Sequence, residues 1–191
     1  MRTAIDTYLE ETKQLIDRFD RDALQQAVEI LLDAHACGGR VWTMGNGGSA
    51  STASHIACDL GKYVIPLGSP PFDVRCLTDN VALYSAWAND AERDLVFVNL
   101  MRGLLRRGDV VILVSVHGGA GFSRDLVHAA EFARGCQATS IALLGFDGGP
   151  LRTLCDCPLL VPADSTPHSE GLHVVIQHLL MHLLQKAMAL R

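Results

Sequence analysis

Five short apolar runs, separated by helical patterns, constrain this chain more than any other feature. They read "RVWTM" (40–44), "FDVRCLT" (72–78), "DVVILVS" (109–115), "TSIALLG" (139–145) and "PLLVPA" (158–163). β-Branched and bulky apolar residues fill them with little alternation, the pattern of strands hidden on both faces. Such strands belong to a parallel sheet covered by helices on either side. The expected fold is therefore α/β, a three-layer αβα sandwich around a five-stranded parallel sheet of flavodoxin-like type.

Helical spacing begins the chain. Ile5, Leu9, Leu15, Ile16 and Phe19, then Leu24, Ala27, Ile30 and Leu31, recur at the helical period on either side of the polar "DRD". This predicts an N-terminal helical hairpin over 1–37, ended by "CGG", ahead of an α/β core over 38–191. The closing segment "TPHSEGLHVVIQHLLMHLLQKAMAL" predicts one long helix with Thr166 as its N-cap and Pro167 as its first residue. With 191 residues, 49% of them hydrophobic, the chain suits a single domain.

Charge narrows the partners. The net charge is -5 and no basic stripe occurs, so neither nucleic acid nor an anionic membrane is expected as a partner. No apolar run approaches the ~20 residues of a membrane span and the first residues lack the core of a signal peptide, so a soluble cytoplasmic protein is expected. The six cysteines lack metal-knuckle spacing and read as buried free thiols.

In an open parallel sheet, ligands bind beyond the carboxyl ends of the strands. Two of those junctions are glycine-rich: "GNGGSAS" after the first strand and "SVHGGAGFS" after the third. Glycine lets the backbone approach an anion, the N–H groups of the following helix supply donors, and the serines add hydroxyls. A phosphate or polyol site follows. A dinucleotide is disfavoured, because the acidic residue needed ~20 positions later is replaced by "IPLGSPP", and no Walker loop occurs.

The ordered set of motifs resembles the sugar isomerase (SIS) domain family, and within it the bacterial phosphoheptose isomerases. The likeness runs through "MGNGGSASTASHIACDL", "LTDNVALYSAWANDAERD", "GDVVILVS", "GFDGG" and "STPHSEGLHVVIQHLL", nearly the whole chain. It implies substrate contacts at Asn46, Gly47, Gly48 and Ser49 and at the pair Asn89 and Asp90. It implies phosphate binding at Ser115, Val116, His117 and Ser123, in a loop where the family usually carries S-T-S-G-N-S. In the metal-dependent members the ligands match His55, Asp59, Glu170 and His178, with Glu170 also touching substrate. Here aspartate stands for the family's glutamate at Asp59, and glutamate for its glutamine at Glu170.

The spacing of His55 and Asp59, i and i+4 on one helix, agrees with a ligand pair, and one imidazole with one carboxylate suits zinc or a similar divalent ion. The resemblance implies an aldose–ketose isomerase that interconverts sedoheptulose 7-phosphate and D-glycero-heptose 7-phosphate through an enediol, with Asp59 as base and His178 as acid. It also implies a homotetramer. Glu170 and His178 lie eight residues apart, about 12 Å along a regular helix, which points to a site completed at a subunit interface. The alternatives within the family are a non-catalytic phosphosugar sensor, an adaptor for a replication initiator, and an isomerase of another sugar phosphate.

Overall fold

The computed structural model describes residues 1–190. Five parallel strands form one sheet: β1 (Arg40–Gly45), β2 (Asp73–Cys76), β3 (Val110–Ser115), β4 (Thr139–Leu144) and β5 (Cys157–Leu160), in the order β2-β1-β3-β4-β5. Each predicted apolar run supplies one strand. Eight α-helices accompany them: α1 (Arg2–Asp17), α2 (Arg21–Ala36), α3 (Gly48–Cys58), α4 (Val81–Asp90), α5 (Val96–Met101), α6 (Arg124–Gly135), α7 (Leu151–Leu154) and α8 (Thr166–Ala189). The fold is the expected three-layer sandwich.

Period-two alternation, invisible in the apolar runs themselves, divides the core. Val110, Ile112 and Val114 of β3, with Ile141 and Leu143 of β4, join residues of α2, α3 and α8 on one face. Val111 and Leu113, with Ala142 and Leu144, join α5 and α6 on the other. Burying each such aliphatic side chain contributes about 1.5–3 kcal/mol, so the central strands anchor both layers at once.

One buried acid ties the N-terminal edge of the sheet together. Asp109 accepts from the Arg40 backbone N–H at 2.9 Å, the Trp42 indole Nε1 at 3.0 Å and the Arg106 backbone N–H at 3.2 Å. The Arg40 guanidinium stands 3.8 Å away. Three donors and a cation offset the desolvation of the carboxylate.

The two N-terminal helices take different places. Leu24, Ala27 and Leu31 carry α2 into the core, whereas Leu15 is the buried residue of α1. The Tyr8 ring of α1 stacks on His168 of α8 at 4.0 Å. The long closing helix begins one residue earlier than predicted, with Ser165 as N-cap. The Ser165 hydroxyl is occupied by His168 Nδ1 at 2.8 Å. The cysteines also depart from expectation: Cys155 and Cys157 are buried, while Cys37 and Cys58 are exposed. Burial pushes the Cys155 thiol up to about 12. Among the described residues, no helix is long and apolar enough to cross a membrane.

Candidate active site

Both glycine-rich loops leave the carboxyl ends of neighbouring strands, β1 and β3, as the parallel topology requires. In the first, Gly47 holds φ +56°, a left-handed conformation that glycine adopts without cost, and α3 starts at the next residue. In the second, a side chain at Gly118 would collide with the backbone of Gly148, so the loop can lie flat on the segment after β4 only with glycine there. Two non-glycine residues beside the site, Ser123 (φ +54°) and Phe146 (φ +52°), also take left-handed conformations. Such residues concentrate where surrounding structure enforces them for function.

The two loops bound two adjoining cavities. One, of about 180 Å³, is lined by Ser49, Ser115, Val116, His117, Ser123 and Glu170 among others. The second, of about 510 Å³, is lined by Asn46, Gly47, Tyr84, Arg93, Ser123 and Asp125 among others. Asn46 and Ser123 belong to both. Ser115 is buried, and its Oγ accepts the Gly118 backbone N–H at 3.1 Å, so the hydroxyl folds the loop before it meets any ligand. The His117 ring rests on Phe146 at 4.4 Å between centroids and faces Phe122 at 5.5 Å. An aromatic wall therefore stands where the family's loop carries a small hydroxyl residue.

Three of the four predicted metal ligands converge. One ligand atom each from His55, Asp59 and His178 lies within 4.8 Å of the other two. His55 Nε2 is 3.5 Å from Asp59 Oδ2. The α3 helix loosens into a π-helical turn at Asp59–Tyr63, a distortion frequent at functional sites, which sets the direction of that carboxylate. Gln177, buried on α8, donates its amide to Asp59 Oδ2 at 3.3 Å. Two imidazoles and a carboxylate with a hydrogen-bonded outer partner form a donor set that fits a divalent ion.

Glu170 does not join them. Its carboxylate lies over Gly48, where an added Cβ would stand 2.7 Å from Oε1. The physical reason is the helix rise: α8 is regular across 166–189, so eight residues keep Glu170 about 12 Å from His178 along the axis. His178 meets His55 and Asp59 of its own chain, so of the two parts expected at a subunit interface, His178 and the Glu170 turn, only the Glu170 turn lies outside the cluster. Asn89 and Asp90 also stand apart from both cavities. They end α4 on an exposed surface, with Asn89 Nδ2 donating to Asp90 Oδ1 at 2.7 Å.

Residues not anticipated from sequence complete the picture. Asp125, Tyr84, Arg93 and Gln177 all face the site or its ligands. Burial raises the carboxyl pKa of Asp125, with hydrogen bonding from Asn46 opposing the rise. Burial also raises the Tyr84 phenol. Asp125 had one signal, its place two residues after a serine at a helix start, but that place usually denotes an exposed acid complementing the helix dipole.

The sequence matches the SIS domain model over residues 7–145. It is 35% identical over 187 residues to the phosphoheptose isomerase of Syntrophotalea carbinolica, an alignment that covers 96% of this chain and 93% of that one. It is 37% identical over 166 residues to the lincomycin biosynthesis protein LmbN of Streptomyces lincolnensis, covering 83% of this chain and 60% of that longer protein. The structure superposes on phosphoheptose isomerase GmhA from Neisseria gonorrhoeae with a TM-score of 0.87 at 25% identity, covering 97% of this chain and 98% of that one. The chain belongs to the SIS domain family.

Proposed function

We propose that this chain is an aldose–ketose isomerase of a phosphorylated sugar, interconverting sedoheptulose 7-phosphate and D-glycero-heptose 7-phosphate through an enediol. The observation that carries this reading is the His55, Asp59 and His178 cluster, set two turns along α3 from a glycine-rich ligand loop. Gly48 and His55 are seven residues apart, about 10 Å on a helix, so the first loop and the cluster can both touch one several-carbon chain. One end of such a substrate is held by its phosphate and the other meets the acid and the imidazoles. The named relatives that are phosphoheptose isomerases support the choice of substrate.

Isomerisation moves a proton between C1 and C2, so it needs a base, an acid and stabilisation of the developing oxyanion. A divalent ion held by His55, Asp59 and His178, zinc being the first expectation, would supply Lewis acidity toward the carbonyl. Asp59 accepts the carbon-bound proton, with Gln177 fixing one of its oxygens. His178, exposed beside it on α8, donates a proton to the oxygen that becomes a hydroxyl. Backbone N–H groups of the second loop and Ser123 hold the phosphate.

The same reading includes an oligomer. The apolar residues Ile5 and Leu9 of α1, Val81, Leu83 and Trp87 of α4, and Val175 and Leu179 of α8 are exposed. They lie on separate helices, and exposed apolar side chains of this kind are available for contacts between chains; the homotetramer we assign follows the family resemblance. The aromatic wall of His117, Phe122 and Phe146 favours one alternative within the class, an isomerase whose phosphosugar differs in length from a heptose.

The test is incubation of purified protein with pentose, hexose and heptose phosphates in deuterated water. Conversion with deuterium incorporation at C2 is expected, fastest with sedoheptulose 7-phosphate. Tight binding of a phosphosugar without turnover or exchange replaces the enzyme with a sensor.

A further inference from the structure

The larger cavity contains a buried acid that the isomerase chemistry leaves unused. Asp125 is the second residue of α6 and is buried. Both of its carboxylate oxygens accept from Asn46 Nδ2, each at 3.0 Å, and Oδ1 also accepts the Leu126 backbone N–H at 2.9 Å. Asn46 Nδ2 makes a third contact, to Ser123 Oγ at 3.3 Å. On its other side, the Tyr84 hydroxyl donates to Asn46 Oδ1 at 3.4 Å.

An ionised carboxylate only accepts hydrogen bonds, so it dictates which end of the amide faces it. The nitrogen of Asn46 turns to Asp125 and the oxygen turns to Tyr84 and the cavity. A carbonyl oxygen has two lone pairs, and one donor uses only one of them. No basic side chain pairs with Asp125 among the described residues; Arg124, its neighbour, stands 3.8 Å from Asp94 instead. Arg93 across the same cavity opposes the burial of this acid only as the weakest of the influences on it, so Asn46 is its main side-chain partner.

We infer that Asp125 is a positioning residue that locks Asn46 with its carbonyl oxygen toward bound substrate, so that this point of the site selects a sugar hydroxyl and rejects a phosphate oxygen. A hydroxyl donates to that oxygen, whereas a phosphate oxygen would meet it acceptor to acceptor. The polyol portion of the substrate then lies in the cavity of about 510 Å³, and the phosphate is left to the second loop. The inference rests on the phosphosugar reading above and names which part of the ligand Asn46 recognises.

The test uses a polarity swap. Asp125→Asn keeps size but supplies an amide that can present either end, so Asn46 loses its fixed orientation. Asn46→Asp alone sets two carboxylates against each other. The double variant reverses the bond: the new amide at position 125 donates to the new carboxylate at position 46, whose second oxygen still faces the cavity as an acceptor. For sedoheptulose 7-phosphate, Asp125→Asn should raise KM about tenfold with kcat within about threefold, as expected when ground-state and transition-state binding are lost together. Affinity for inorganic phosphate, measured by calorimetry, should not change. The double variant should recover KM toward the native value. A KM for Asp125→Asn within about twofold of native, or a double variant no better than the single, overturns the proposal.

A readout without substrate separates this inference from the functional reading. Should native protein neither bind nor convert sedoheptulose 7-phosphate, the substrate assignment fails, and the lock is judged on the side-chain amide protons of Asn46 by NMR. Slow exchange with water in native protein and fast exchange in Asp125→Ala sustain the lock. Equal rates overturn it.

Discussion

The imidazole rings of His55 and His178 meet nearly edge to face, 4.9 Å apart between centroids and inclined by 79°, although 123 positions separate them in the chain. One belongs to α3 and the other to α8, and Asp59 Oδ2 stands 3.5 Å from His55 Nε2. Two exposed histidines held together beside an acid make a ready donor set for a divalent ion.

The metal prediction follows from that contact. His178→Ala should weaken metal binding at least tenfold by elemental analysis of dialysed protein, since it removes a primary donor. Chelation should abolish most activity while leaving the far-UV circular dichroism intact, because both core clusters form without these side chains. Unchanged metal content in His178→Ala would remove the cluster from consideration as a metal site.

A second prediction concerns the loop after β3. Ser115 Oγ accepts the Gly118 N–H, and this bond holds the turn that aims later backbone donors at the ligand. Ser115→Ala should lower affinity for a sugar phosphate about tenfold and leave affinity for the free sugar nearly unchanged. Equal losses for both ligands would place the phosphate elsewhere.

The strands, their parallel direction and both glycine-rich loops were legible in the sequence because each rests on local signals: continuous apolar runs, and glycine where the backbone must turn at a strand end. His55 and Asp59 were legible because a helix fixes the i,i+4 neighbourhood. Glu170 stands apart from the metal cluster, as its eight-residue separation from His178 on one regular helix already implied, and lines the cavity between the loops instead. Asp125, Tyr84 and Gln177 were missed for a common reason. Each owes its role to a partner distant in sequence, Asn46 for the first two and Asp59 for the third, and no local period encodes such pairs.

A third prediction uses the buried His173. Burial pushes its pKa down from 6.5 to about 4, against a weaker opposing pull from the Leu144 backbone. In the unfolded chain the ring titrates near its ordinary value. Between pH 6.5 and 4 the unfolded state therefore binds a proton that the folded state does not, so stability falls as pH drops through that window. Denaturant titration at pH 7 and pH 4.5 should show native protein losing about 2 kcal/mol more than His173→Gln between the two conditions. Equal losses would mean that His173 is not the proton-linked group.

The last prediction asks which residues cross between chains. His55, Asp59 and His178 converge within one chain, so Asp59→Ala and His178→Ala subunits refolded together should stay inactive: every cluster in a mixed oligomer carries one defect. Asp90 gives the opposite expectation. It lies on α4, a helix with no buried side chain, whose Val81, Leu83 and Trp87 are exposed, and it lines neither cavity of its own chain. The family resemblance nevertheless gives this position a substrate contact. The exposure of α4 and the contact that the resemblance implies are reconciled when the apolar face of α4 packs on a neighbour and delivers Asp90 to that neighbour's site. Asp90→Ala subunits keep an intact His55, Asp59 and His178 cluster, and His178→Ala subunits keep an intact Asp90, so each supplies what the other lacks. Mixed oligomers of these two should recover up to about a quarter of native activity under random assembly in equal amounts. Confirmed mixing with activity at background would return Asp90 to a role within its own chain.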